Sequence, residues 1–374
     1  MYKSAIEVIK LIEDKGFSAY IVGGYVRDIY LSLNASDIDI STSATPKDLI
    51  KIFKKNIVID EKYGSTKLTY KNYFFDITTF RKDIKYNDNR RPSKIEYVDN
   101  IEEDLKRRDF TINTMCMDKN GEILDLFNAK KDINNKLIKT VRDANTVIKE
   151  DSLRILRAVR FATTLNFKID KELDLAIKKY SKKVKDLSYS RKKEELNHIF
   201  RSDNYEYGIK LLKKYDLDKY LDIKIDKIKK TSDVLGMWAE IDYSDDYPFS
   251  NLEKDTIKKI RELLVYNKID NYSLYKYGNI ICNTVSEILG IDKKEVSKMY
   301  DKLPIHQRKE IKTNNLEISI LLKKLIIDNK IKEIFNDIEY KIVSLELKNT
   351  KEDIRKYILE NYGGKKWKMK WLMN

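Results

Sequence analysis

A chain of 374 residues, 36% charged and with a net charge of +15, is long enough for two or more domains and suits a polyanionic partner. Its two cysteines, Cys116 and Cys282, exclude a disulfide framework, and its two histidines, His198 and His306, make zinc or histidine acid–base chemistry improbable. With no run of 18 apolar residues and no leader sequence, the expectation is a soluble cytoplasmic protein with no membrane association and no protein partner evident.

The apolar spacing of Ser4 to Lys15 predicts an amphipathic helix. Ala19 to Val22 is a short apolar run that ends at Gly23-Gly24, so a strand enters a tight turn there. Glycine lets backbone approach a bulky anion. A helix over Val26 to Leu33 aims N–H groups and its positive dipole end at phosphate, beside Gly24 and Arg27. The next segment, Asp37 to Thr42, alternates strictly, so in a strand Asp37 and Asp39 share one face while Ile38 and Ile40 face the core. Two carboxylates so close repel unless cations intervene. Mg2+ takes one or two carboxylates plus phosphate oxygens. Two such ions about 4 Å apart activate an attacking hydroxyl and stabilise leaving pyrophosphate. An edge strand with a solvated acidic face is the alternative.

Thr45 reads as an N-cap and Pro46 as the first helical position. Lys67 to Tyr70 and Tyr73 to Phe80 flank Lys71-Asn72 and read as a hairpin. Asp76 lies in its second strand, either as a third catalytic carboxylate or as a solvated acid. Arg107, Arg108, Asp109 and Asn113 follow in one short run. Arginine suits triphosphate oxygens, and Asp109 and Asn113 suit ribose hydroxyls. A surface charge cluster is the alternative.

From about residue 141 the period is helical, with helices expected at 146–165, 171–181, 190–201, 204–215, 252–266, 271–289, 294–302, 317–327 and 350–361. Residues 1–150 carry a net charge of +3 and residues 151–374 of +12, as expected if the second half grips a nucleic-acid backbone. Within the first of these helices Glu150, Asp151 and Arg154 share one edge, and Arg157 and Arg160 follow. Taken alone, the pattern reads first as a row of ordinary helix salt bridges. The sharper reading comes from base edges. Adenine and cytosine present an amino donor beside a ring-nitrogen acceptor, whereas guanine and uracil present a carbonyl beside a ring N–H. Asp151 with Arg154 matches the first pattern and opposes the second.

Gly23-Gly24-x-Val26-Arg27-Asp28, Asp37-x-Asp39, Arg107-Arg108-Asp109-x-x-x-Asn113 and Glu150-Asp151-x-x-Arg154 occur in this order. Together they resemble the bacterial-type (class II) CCA-adding tRNA nucleotidyltransferases, a class that includes bacterial poly(A) polymerases. The resemblance covers roughly residues 18–200. It implies an α+β protein: a DNA polymerase β-like head with a mixed sheet, then helical neck, body and tail in a seahorse shape. The corresponding divisions here are 1–140, 141–203, 204–290 and 291–374. It also implies that Asp37 and Asp39 bind Mg2+, that the Arg-Arg-Asp run contacts ribose and triphosphate, and that Asp151 and Arg154 act as a protein template. Arg191 to Leu196, with Glu195, resembles the neck motif that supports this helix, as Glu150 does from within it.

The segment from Thr79 through Arg90-Arg91-Pro92 resembles the flexible loop of full CCA-adding enzymes, so addition of C, C and A to the 3′ end of tRNA from CTP and ATP is expected over CC-only, A-only or poly(A) addition. An inactive RNA-binding relative or a small-molecule nucleotidyltransferase is the remaining alternative. Asn128-Ala129 departs from the family's usual glycines near Asp125, and the basic ending with Trp367 and Trp371 suits RNA stacking or a solvated tail.

Overall fold

The computed structural model describes all residues except 36, 55–56, 61–64, 87–91, 323–327 and 364–374. The Arg90-Arg91 part of the expected flexible loop and the Trp367 and Trp371 tail lie outside the described residues. The chain divides into two compact units, Met1–Lys224 with Tyr243–Pro248, and Ile225–Asp242 with Phe249–Asn374.

The first unit opens with α1 (Tyr2–Glu13), β1 (Ala19–Val22), α2 (Gly24–Tyr30), β2 (Asp39–Thr42) and α3 (Pro46–Phe53). In α1 the buried Ala5, Val8, Ile9 and Ile12 recur at helical spacing and pack on β1 and β2. Thr45 caps α3 in a reciprocal capping box with Asp48, with Pro46 at the first helical position, as the sequence indicates. The strands β3 (Ile57–Asp60), β4 (Ser65–Tyr70) and β5 (Tyr73–Thr79) follow, then the antiparallel pair β6 (Arg81–Tyr86) and β7 (Pro92–Tyr97). Lys71 and Asn72 both take positive φ, 48° and 66°, which is the twist a two-residue hairpin turn demands. α4 (Ile101–Lys106), β8 (Cys116–Met117), β9 (Ile123–Leu124) and α5 (Ala129–Asn134) complete the head.

The main sheet has seven strands in the order β3-β4-β5-β2-β1-β8-β9. β2 sits at its centre, antiparallel to β1 and parallel to β5, so the sheet is mixed. That placement pairs Asp39 with Asp76 in register. Asparagine at position 128 takes the left-handed conformation (φ 58°, ψ 32°) that a glycine would otherwise supply, and Asp125 accepts from the amides of Ala129 and Lys130. The departure from glycine therefore leaves the local turn intact.

A short parallel pair, β10 (Leu137–Ile138) with β11 (Lys168–Ile169), brackets α6 (Ala144–Glu150) and α7 (Leu153–Leu165). The continuous helix expected at 146–165 is two helices. Asp151 is extended (φ −147°, ψ 106°), and its carboxylate accepts from the Leu153 amide, so the side chain starts a new helix instead of continuing the old one. The remaining helices of this unit are α8 (Lys171–Tyr180), α9 (Tyr189–Arg201), α10 (Tyr205–Lys214) and α11 (Leu217–Leu221).

The second unit is built from α12 (Val234–Ala239), α13 (Asn251–Tyr266), α14 (Asn271–Leu289), α15 (Lys293–Asp301), α16 (Asn315–Leu321), α17 (Asp328–Val343) and α18 (Lys351–Tyr362). Ile318, Ile338, Ile342, Ile354 and Ile358 form its apolar core at one end. The helix expected over 317–327 covers 315–321, with 323–327 outside the described residues, and α17 was not foreseen in the sequence.

Candidate nucleotide site

Two glycines begin the site. Gly23 ends β1 at φ 74°, ψ −129°, a region closed to residues with a Cβ. A Cβ there also comes within 3.2 Å of Arg108 Nη1. Gly23→Ala is expected to cost about 1–3 kcal/mol of stability through that backbone strain, read as a lower urea midpoint; an unchanged midpoint removes the requirement for glycine.

Arg108 is held from three sides. Its Nη1 donates to the Asn113 carbonyl at 3.3 Å, and its Nη2 donates to Ser41 Oγ at 3.2 Å and to Asp104 at 3.3 Å. Asp104 is fully buried and also binds Arg107 at 2.7 Å. Burial alone would raise the Asp104 carboxyl, but the two arginines hold it below the usual carboxylate range. Asp104 additionally accepts from the Arg81 amide, which ties the start of β6 to the arginine pair.

Asp109 lies at the centre of a second network. It accepts from Arg157 Nε at 2.7 Å and from Asn113 Nδ2 at 3.1 Å. Asn113 Oδ1 accepts from Arg27 Nη1 at 2.7 Å, and Arg27 pairs with Asp28 at 2.7 Å. Burial pushes the Asp109 carboxyl upward, yet Arg157, the Asn113 amide and Arg154 together hold it far below the ordinary range. A depressed carboxyl adds stability that is complete above its unfolded value of about 3.9 and drains away as the pH falls toward the folded value. Asp109→Asn is therefore expected to cost about 2 kcal/mol at neutral pH, because Arg157 loses its partner while keeping partial solvent exposure. The gap between wild type and variant should close in acid unfolding curves below about pH 4; a gap independent of pH would refute the assignment.

Arg154 is 8% exposed and is also anchored by protein groups. Its Nη1 donates to the Val147 carbonyl and to Glu150, both at 3.0 Å, and its Nη2 to the Arg107 carbonyl at 3.0 Å. Glu150 pairs with Arg142 as well, at 2.6 Å. The Glu150–Arg154 bridge thus survives the break between α6 and α7. Burial pushes the Asp151 carboxyl up, opposed by the Leu153 amide and by Arg154. Arg160 pairs with the buried Glu195 of α9 at 3.3 Å.

The arginines Arg27, Arg107, Arg108, Arg154, Arg157 and Arg160 open on one cleft of about 640 Å3. Gly24, Arg27, Asp39, Arg108, Asp109, Asn113, Asp151, Arg154, Arg157 and Arg160 line it, as expected for a single site. Asp37, Asp76, Glu150 and Glu195 do not line it. Asp37 is exposed and lies two residues before β2 begins, so its face in the strand is not set by the sheet ladder. Glu150 and Glu195 hold arginines in place from behind. Sequence reasoning missed Arg81, Thr78, Ser65 and Phe161 as lining residues, and Asp104 and Arg142 as supports. Asp104 is hidden in the acidic run Glu102-Glu103-Asp104, and Phe161 reads as ordinary helix core.

The acidic edge fits a divalent cation that is completed by a ligand. Burial and the neighbouring Asp76, then Asp37, push the Asp39 carboxyl upward, with Arg108 opposing. That accumulation of negative charge is what a cation relieves. Among the described residues no group of three or more His, Cys, Asp or Glu side chains forms a closed metal cage. Mg2+ needs only one or two carboxylates when phosphate oxygens and water supply the rest.

The family described as Poly A polymerase head domain matches residues 19–139. The "Probable RNA and SrmB-binding site of polymerase A" matches 166–222, and a tRNA nucleotidyltransferase domain 2 matches 244–358. The chain is 33% identical to a CCA-adding enzyme of Ligilactobacillus salivarius, covering 94% of each protein. It is 31% identical to one from Staphylococcus haemolyticus, covering 96% of this chain and 98% of that one. Among solved structures it is similar to the Bacillus stearothermophilus CCA-adding enzyme in complex with CTP, with a TM-score of 0.86 and 26% identity over 96% of this chain and 97% of that chain. It shares its fold with the Thermotoga maritima CCA-adding enzyme complexed with tRNA, with a TM-score of 0.66 and 19% identity over 95% and 94% of the two chains.

Proposed function

We propose, from the premise that this chain belongs to the family of bacterial CCA-adding enzymes, that the cleft binds CTP and then ATP and joins each nucleotide to the 3′ end of tRNA. The chain is an α+β nucleotidyltransferase that adds C, C and A without a nucleic-acid template. One observation carries the assignment of the site. Asp39, the Arg108–Asn113 turn and the Asp151–Arg154 pair, separated by more than 100 residues of sequence, line the same cleft.

Nucleotidyltransferases of this kind use divalent metal, and here Mg2+ is the proposed ion, with Asp37 and Asp39 as its protein ligands. When bound it stabilises charge on the transferring phosphoryl group. Asp76, beside Asp39 in the sheet, adds negative charge toward the attacking hydroxyl. Gly24, Arg27, Arg108, Arg157 and Arg160 bind and orient the triphosphate, since guanidinium groups match phosphate oxygens. Asn113 donates one Nδ2 hydrogen to Asp109 and keeps the other for a ribose hydroxyl. Asp151 and Arg154 read the base. Glu150 and Glu195 are positioning residues for Arg154 and Arg160.

The helical remainder is proposed to hold tRNA through backbone and shape, because A-form RNA offers little base readout in its deep groove. The divisions 1–140, 141–203, 204–290 and 291–374 correspond in this reading to head, neck, body and tail. Among the described residues no helix is long and apolar enough to cross a membrane; a cytoplasmic location is proposed because the proposed substrate is tRNA.

The deciding assay offers tRNA ending at the discriminator base, at C and at CC, with CTP and ATP separately and together. Full CCA addition requires CTP alone to extend the first two substrates to CC and ATP to act only on the third. Arrest at CC, action on CC ends only, or a long A tail would replace the proposal with a partial or poly(A) activity.

A further inference from the structure

Three cleft arginines converge on one aromatic ring. The guanidinium carbons of Arg160, Arg27 and Arg157 stand 4.4, 5.1 and 5.3 Å from the centroid of Phe161. Arg157 and Arg160 come from the same helix as Phe161, whereas Arg27 arrives from α2 in the sheet layer. The ring is 7% exposed and lines the cleft. Fully buried Phe110 braces it edge-on at 5.9 Å and 82°.

Three cations so close repel one another. Each has a carboxylate partner: Asp28 of the same helix at 2.7 Å for Arg27, Asp109 at 2.7 Å for Arg157 and Glu195 of α9 at 3.3 Å for Arg160. Asp109 and Asn113 also tie Arg157 to Arg27, yet no one of these partners binds all three arginines together. The ring does, because the negative face of an aromatic quadrupole attracts cations within about 6 Å. An aliphatic side chain of similar bulk fills the space without that attraction.

We propose that Phe161 is a positioning residue that gathers Arg27, Arg157 and Arg160 into one polyphosphate-reading surface, so that affinity rises with the number of phosphates on the nucleotide. The proposal rests on the reading of this cleft as the nucleotide site. It makes phosphate count the property that Phe161 controls, while base identity is left to Asp151 and Arg154.

The test measures the affinities of CTP, CDP and CMP by calorimetry in wild type and in Phe161→Leu. Wild type is expected to bind CTP more tightly than CDP and CDP more tightly than CMP. In Phe161→Leu the CTP-to-CMP ratio should fall about tenfold, because leucine removes the cation–π attraction that holds the arginines together, with CMP affinity within about twofold of wild type. A merely structural role weakens all three ligands alike and leaves the ratio unchanged, which overturns the proposal. Pentafluorophenylalanine at position 161 keeps the ring's shape and reverses its quadrupole, so it answers the question even if Phe161→Leu folds poorly. It should lower the ratio as well; a wild-type ratio there overturns the proposal. If wild type binds none of the three nucleotides, the nucleotide-site reading itself fails; if it binds CTP and CMP equally, the proposal alone is overturned.

Discussion

Asp39→Asn is expected to lose incorporation of both CMP and AMP by about 1,000-fold or more, with tRNA affinity unchanged within about twofold. A factor of 1,000 corresponds to about 4 kcal/mol, within the several kcal/mol of charge stabilisation ascribed to metal-assisted phosphoryl chemistry. The substitution keeps the shape of the side chain and removes one negative charge from the group made by Asp39, Asp76 and Asp37. In the proposed function that charge draws the divalent ion. The sheet does not depend on it, because β2 is held by its backbone pairing to β1 and β5 and by the buried Ile40. Loss of both activities together is the informative feature, since C and A addition share the phosphoryl chemistry and differ only in the base. Single-turnover extension of tRNA ending at the discriminator base and at CC measures the two rates, and filter binding measures the tRNA. Retention of either rate within tenfold would remove the role assigned to Asp39.

The sequence made the chemistry of the head legible because that chemistry needs particular residue types at short spacing. Gly23 is required by a positive φ, Asp39 opens β2 in register with Asp76, and the Arg107 to Asn113 run forms a turn that folds locally. Strand and hairpin signals worked for the same reason: Lys71-Asn72 determine their own turn. What was not legible depends on partners far along the chain. Asp104 looked like one more acid on α4, and only the approach of Arg81 and the two following arginines makes it a buried hub. Arg142 gave no signal, because its partner Glu150 is identified only by the turn into α6. Phe161 carries an apolar side chain at core spacing, and nothing in α7 itself announces that Arg27 will reach the same ring. The missed break at Asp151 has a local cause that periodicity overlooks: an aspartate that accepts from the amide two residues ahead competes with helix continuation.

That break also sharpens the expectation for Asp151. In an unbroken helix its carboxylate would lie along the helix edge beside Arg154. Here the residue is extended, one oxygen accepts from the Leu153 amide, and the other is left for the cleft. Arg154 spends three hydrogen bonds on the Val147 and Arg107 carbonyls and on Glu150, which leaves Nε–H and one Nη2 hydrogen available. The pair therefore offers a fixed acceptor beside fixed donors, the complement of the amino group and ring nitrogen shared by cytosine and adenine. Uracil and guanine place a carbonyl oxygen against the Asp151 carboxylate and a ring N–H against the Arg154 guanidinium, leaving both protein groups unpaired in a partly buried site. Such mismatches separate substrates by as much as about 10,000-fold. Asp151→Asn replaces the obligate acceptor with an amide that both donates and accepts, so its Nδ2 meets the O4 of uracil or the O6 of guanine. Discrimination between CTP and UTP, measured as the ratio of kcat/KM values on tRNA ending at the discriminator base, is expected to fall by about 100-fold or more, equivalent to about 2.7 kcal/mol. Most of the fall should appear as a gain for UTP alongside a loss for CTP. A variant that loses CTP and UTP activity in equal proportion would assign Asp151 to the architecture of the α6–α7 junction and leave base selection to other residues.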